Sequence, residues 1–240
     1  MKTLVRVLLG TVALVALGGG GWYAYNSALT QPVREIAFTG DTSKVARADL
    51  DKLAESVRAM PPGNSTLVAV REGAKRLPWV RDASVRRRFP DGLEVRLEMH
   101  DALARWSDGL LVNPQGELFA GRTEAKLPKF TGPEGSSPEM AREYPGIARA
   151  LVPIESSLAE LHLSPRGAWQ VVLDSGLVLE LGRGDVVARI DRFAGAWPRL
   201  AKADPVPKYA DLRYPNGFAL KRARDPNDLP TKPASKTKRA

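Results

Sequence analysis

The chain has 240 residues, 43% of them hydrophobic and 26% charged, a globular composition with enough apolar material for one large core or two small ones. It has no cysteine, which excludes a disulfide framework or a thiolate metal site, and its two histidines, His100 and His162, argue against a histidine metal cluster. The formal charge of +9 sits mostly at the ends: residues 221–240 carry a net +5 and residues 1–25 a net +2, so the 195 residues between them hold only +2 and lack the positive footprint of a nucleic-acid binder.

Residues 7–25 form a run of 19 without a charge. As a helix this run is about 28 Å long, close to the hydrocarbon thickness of a bilayer. Lys2 and Arg6 precede it, so the positive-inside rule keeps residues 1–6 in the cytoplasm and exports the chain beyond residue 25, with Trp22, Tyr23 and Tyr25 as an aromatic belt at the outer interface. A cleaved signal peptide is the competing reading, because the strongly apolar part is short and Ala16-Leu17-Gly18 would serve as a cleavage site. The aromatic cluster extends the apolar stretch past any such cut and favours an uncleaved transmembrane helix. Ala16, Gly20 and Ala24 make a small-residue stripe that reads equally well as a helix-packing face or as a tolerant apolar span.

After a linker at 26–32, residues 33–39 read as a strand ended by Gly40-Asp41. Two helices come next, 47–58 with apolar Leu50, Leu53, Ala54 and Val57, and 67–77 with Leu67, Val70, Ala74 and Leu77, separated by Pro61-Pro62-Gly63-Asn64. A hairpin over 84–100 turns at Pro90-Asp91-Gly92, with the glycine suited to a left-handed bulge position. Pairing Phe89 with Leu93 sets Arg88 opposite Glu94 and Ser84 opposite Glu98, leaving Arg86 diagonal to both glutamates. Arg86-Arg87-Arg88 then reads as a charge-balanced sheet face. The order over 33–100 is β-α-α-β-β, an α+β module.

From residue 101 the texture changes to short strands at 102–107, 110–112, 117–119 and 127–132, then a helix at 138–151. Strands at 158–163, 169–173 and 177–181 form a meander, and a helix over 185–202 is interrupted by Pro198. Strands 209–214 and 218–222 close around Asn216-Gly217, so 101–224 is a second, mainly β domain with two helices. Residues 225–240, rich in Pro, Lys, Thr and Ala, read as a disordered basic tail.

Chemistry-bearing motifs are sparse. Asp174-Ser175-Gly176 has the form of an aspartic-protease turn, but it lacks a second such triplet and Leu177 stands where a small hydroxyl residue is usual, so a plain hairpin turn is the better reading. Gly182-Arg183-Gly184 lacks the third glycine of a phosphate cradle, and neither Gly-x-Ser-x-Gly nor His-Glu-x-x-His occurs. No catalytic, cofactor-binding or metal-binding residue is expected. The closing hairpin is more informative: Ala210, Leu212 and Tyr214 share one face, Asp211 and Arg213 the other, and a last strand is often an edge able to accept a partner's strand, although on pattern alone a hairpin that only completes the core is the favoured reading.

Several strings occur in a telling order: Phe38-Thr39-Gly40, Leu77-Pro78-Trp79-Val80, Val85-Arg86-Arg87-Arg88-Phe89-Pro90-Asp91, Ala104-Arg105-Trp106 and Leu127-Pro128-Lys129-Phe130-Thr131-Gly132-Pro133. Leu181-Gly182-Arg183-Gly184, Arg192-Phe193 and Asp211-Leu212-Arg213-Tyr214-Pro215-Asn216-Gly217-Phe218-Ala219 continue the series. With the single N-terminal span, the chain resembles the FtsQ family of bacterial cell-division proteins. The resemblance implies a POTRA module at 33–100 and a β-rich domain that binds FtsB and FtsL in the periplasm. It points to Arg213, Tyr214, Asn216, Gly217 and Phe218 as the FtsB-binding surface, with Arg192 on the helix beside them. It also implies a non-enzymatic scaffold, without cofactor, in the cell inner membrane at the division septum, N-terminus cytoplasmic. At 221–223 the chain has Lys-Arg-Ala where that family often carries a bulky residue. The alternative is a POTRA-type chaperone for outer-membrane or secreted polypeptides, and the absence of repeated modules or a barrel pattern weighs against it.

Overall fold

The computed structural model of the chain describes residues 14–23, 33–61, 63–89, 91–203 and 206–222, and these divide into two units between His100 and Asp101. Residues 14–23 are helical, with Leu14, Val15, Leu17, Trp22 and Tyr23 exposed. Among the described residues, no helix is long and apolar enough to cross a membrane. The rest of the sequence-predicted span, the tail at 1–6, the linker at 26–32 and the basic tail at 225–240 lie outside the described residues.

The first unit runs β1 (Glu35–Thr39), α1 (Arg47–Arg58), α2 (Asn64–Lys75), β2 (Val80–Arg88) and β3 (Gly92–Met99), with sheet order β1-β3-β2 and β1 parallel to β3. The apolar spacing in the helices has the expected result: Leu53 and Val57 from α1 meet Val70 and Ala74 from α2 over Leu93, Val95 and Leu97 of β3. Gly73 keeps the helices close, since a Cβ there would lie 2.9 Å from Leu53 Cδ1. Gly40 turns the chain out of β1 at φ +93, against the Leu97 carbonyl.

The hairpin register differs from the sequence reading by two residues. Arg87 faces Leu93, Arg86 faces Glu94 directly, and Ser84 faces Arg96. Phe89 is not a paired residue but lies in the turn, 81% exposed, and Gly92 is the first residue of β3, opposite Arg88, rather than a left-handed bulge glycine. The charge balance survives with different partners: Arg86 lies 3.4 Å from Glu94, Arg81 2.6 Å from Glu98, and Arg71 2.7 Å from Asp82.

The second unit is built on a nine-stranded mixed sheet of order β12-β11-β10-β9-β8-β7-β4-β5-β6. Its strands are β4 (Ala104–Trp106), β5 (Leu111–Val112), β6 (Leu118–Phe119), β7 (Lys129–Thr131), β8 (Leu158–Leu163), β9 (Trp169–Leu173), β10 (Val178–Gly182), β11 (Pro207–Asp211) and β12 (Ala219–Arg222). Two helices, α3 (Ser137–Leu151) and α4 (Val186–Leu200), are the crossovers between the parallel pairs β7/β8 and β10/β11. Registers align Phe130, Leu161, Val171, Leu179, Ala210 and Leu220 in one row across six strands. This row meets Met140 and Ile147 of α3 and Ile190 and Phe193 of α4 in a single core. The next row, Thr131, His162, Gln170, Glu180 and Asp211, alternates onto the other face. α4 is not interrupted at Pro198. Trp197 and Leu200 on either side of it both pack on the core and hold the last turn helical.

Candidate functional site

β12 is the terminal strand of the sheet, paired with β11 on one side only among the described residues. The approach to it differs from the tight hairpin expected at Asn216-Gly217. β11 ends at Asp211, which faces Ala219, so residues 212–218 form a seven-residue loop and Arg213 and Tyr214 belong to the loop rather than to a strand. The cause is local: the Asp211 carboxylate accepts a hydrogen bond from the backbone N–H of Arg213 at 3.1 Å, folding the chain back on itself two residues on.

The same carboxylate receives the Arg213 guanidinium as a two-pronged fork, Nε to Oδ1 at 2.8 Å and Nη2 to Oδ2 at 2.6 Å. Asp211 is almost fully buried, whereas the Arg213 side chain is 61% exposed. The guanidinium hydrogen bonds hold the Asp211 carboxyl below its usual range, against the opposing effect of burial, and the carboxylate in turn raises Arg213. Gly182 makes room for this arrangement: at φ +67 it lies under the Arg213 side chain, and a Cβ there would come within 2.8 Å of Arg213 Cγ. Leu212 fixes the start of the loop, fully buried and with its N–H donating to the Glu180 carbonyl at 2.8 Å.

Arg192 reaches the loop from α4. Its guanidinium donates to the Pro215 carbonyl at 2.9 Å, the Tyr214 carbonyl at 2.9 Å and the Leu212 carbonyl at 3.5 Å. A planar five-donor group suits such a cluster of carbonyls and sets the path of the loop. Asp185 caps α4 by accepting from the Ala188 N–H at 3.0 Å, and Arg189 donates to the Leu181 carbonyl, tying the helix start to the end of β10. At the other end of the loop Phe218 is half-buried, its ring edge-on to Phe193 at 5.2 Å. Tyr214 is 54% exposed, Asn216 is exposed, and Gly217 is half-buried with open space where a Cβ would stand.

The structure therefore brings Arg192, Arg213, Tyr214, Asn216, Gly217 and Phe218 to one corner of the sheet, but in different roles. Arg192, Arg213 and Phe218 hold the loop; Tyr214 and Asn216 face outward. Sequence reading did not pick out Asp211 or Gly182 as parts of this corner. The signal for Asp211 was available, since an aspartate two residues before an arginine on the same strand face is a ready ion pair. Asp174, the other residue weighed for chemistry, sits in the turn between β9 and β10 with its carboxylate 2.8 Å from Lys126 Nζ. Among the described residues no group of acidic or histidine side chains has metal-site geometry.

Residues 31–98 match the family description "POTRA domain, FtsQ-type", and residues 104–213 match "Cell division protein FtsQ/DivIB, C-terminal". Over 226 residues the chain is 38% identical to the cell division protein FtsQ of Burkholderia pseudomallei, covering 90% of this chain and 89% of that one. It is 33% identical over 234 residues to the FtsQ of Neisseria gonorrhoeae, covering 97% and 96%. The FtsQ of Xanthomonas campestris is 34% identical over 240 residues, covering 92% and 82%.

Proposed function

The chain belongs to the FtsQ family of cell-division proteins, and from that premise we propose that it is a non-enzymatic, single-span inner-membrane scaffold that captures FtsB, and with it FtsL, in the periplasm at the division septum. Residues 7–25 anchor it and the POTRA unit offers a surface to other division proteins. β12 takes a segment of FtsB as an added strand. The observation that carries this reading is the position of β12 at the sheet terminus, next to a loop that presents a half-exposed tyrosine from a braced backbone. A sheet edge supplies main-chain hydrogen bonds to an incoming strand, and a rigid aromatic beside it supplies an anchor at small entropic cost. Ala219 and Lys221 are exposed along β12 and Leu220 is half-buried, so an added strand finds a mixed surface rather than a second core.

Binding of the full chain to the periplasmic segment of FtsB tests the site. Tyr214→Ala is expected to weaken it about thirtyfold, the size of an aromatic hot spot. Affinity equal to wild type in that variant, with an unchanged melting temperature, would remove Tyr214 from the interface.

A further inference from the structure

The tip of the β2–β3 hairpin combines features that the partner-binding corner does not use. Phe89 is 81% exposed on a unit whose other large apolar side chains are mostly packed. At the same end of the unit are exposed Arg88, Arg34 and Arg58: the Arg34 N–H donates to the Asp91 carbonyl at 2.9 Å, and Arg58 Nε donates to the Arg34 carbonyl at 3.5 Å. Acidic groups share this end, but they are largely engaged. Asp91 lies 3.8 Å from Arg34 and Glu94 lies 3.4 Å from Arg86, with Glu35 exposed beside them. An exposed aromatic at the end of a paired hairpin, with exposed arginines at the same end, suits a surface that is apolar beneath and anionic on top.

The chain path indicates which surface that is. β1 begins at this same end, Glu35 facing Gly92 in the parallel pair. If residues 7–25 span the membrane, only residues 26–32 separate its outer face from Val33, which is already buried in the unit's core, a reach of at most about 25 Å. We infer that the Phe89 tip, with Arg88, Arg34 and Arg58, docks on the outer face of the membrane that holds the anchor, Phe89 entering the interface and the arginines meeting phospholipid phosphates. The inference rests on residues 7–25 being that anchor. Tethering raises the local concentration of the tip at the bilayer, so a contact too weak to recruit a free domain suffices to orient this one. The unit is thereby set with the far end of its sheet, where Gly40 and Ser43 lie, pointing away from the membrane.

The absence of native cysteine allows a single-site test on the full chain in vesicles. An environment-sensitive fluorophore on Glu35→Cys reports the tip end while leaving Phe89 and the arginines in place, and the same label on Ser43→Cys reports the far end. In phosphatidylcholine vesicles containing phosphatidylglycerol, the label at 35 is expected to show blue-shifted emission and several-fold stronger quenching by lipid-borne quenchers than the label at 43. Phe89→Ala abolishes that difference, and Arg88→Gln lowers the docked-to-undocked ratio about fivefold. Equal quenching at 35 and 43, or a difference indifferent to Phe89→Ala, overturns the docking. Resistance to carbonate extraction is read in parallel: a chain that resists extraction yet shows equal quenching refutes only the docking, whereas a chain that is extracted refutes the anchor and the docking together.

Discussion

Replacing Arg213 by alanine tests whether this arginine is primarily a brace. Asp211 would keep its burial, its side chain only 9% exposed, and lose two hydrogen bonds of 2.8 and 2.6 Å from a charged donor. Glu180 is its cross-strand neighbour, so the variant also leaves two carboxylates side by side. Hydrogen bonds to charged groups contribute about 1.5–3 kcal/mol each, but the Arg213 head is mostly in solvent and water replaces part of what it gives, so the net loss is about 2 kcal/mol. For a unit of this size that is a fall in melting temperature of about 8 °C, read by calorimetry on the full chain in detergent. The pH dependence has a definite sign. Because the folded state depresses the Asp211 carboxyl, its stabilisation is complete above the unfolded-chain value near 4, and is lost as pH falls through the lower folded value. Wild type should therefore exceed the variant at pH 7 and converge with it in acid. Equal melting temperatures at pH 7, or a gap that widens on acidification, would show that Arg213 does not brace Asp211. A charge reversal at Arg213 is correspondingly a poor probe of partner binding, since it damages the loop before any partner arrives.

Arg192→Ala releases the carbonyls of Leu212, Tyr214 and Pro215. Stability is expected to fall by about 1 kcal/mol while amide exchange across 212–218 rises about tenfold, and unchanged exchange would show that the loop is held without Arg192. Gly116→Ala places a Cβ 2.2 Å from Pro138 Cα at a φ of +82, and is expected to destabilise the second unit by about 3 kcal/mol in chemical denaturation. A loss below about 1 kcal/mol would mean that the turn before β6 moves freely off α3.

The elements with a clear apolar period were legible in the sequence. Helix 47–58 and strands 158–163 and 169–173 form with the bounds their patterns suggest, because each buries one face on a core. Both strand misreadings arise because side-chain alternation alone fixes neither a register nor the end of a strand. Side-chain alternation has a period of two, so shifting the β2–β3 register by two residues leaves every side chain on its proper face; nothing in the pattern distinguishes Phe89 paired with Leu93 from Phe89 exposed in the turn. In the closing segment, Ala210, Leu212 and Tyr214 alternate like a strand and the first two are buried, but the Asp211 carboxylate turns the chain before Tyr214, which ends in solvent. Local hydrogen bonding by an aspartate overrode the strand pattern there. Arg192 lies 20 residues and more from the carbonyls it braces, and only the fold of α4 beside the loop makes that contact.

Strand addition at β12 is tested most directly by amide hydrogen exchange of the full chain with and without the periplasmic segment of FtsB. Strand addition requires protection of Ala219–Arg222 on binding, together with slower exchange at Tyr214 and Asn216, and little change at β6 on the opposite edge of the sheet. Saturating binding of that segment with no added protection in β12 would contradict it.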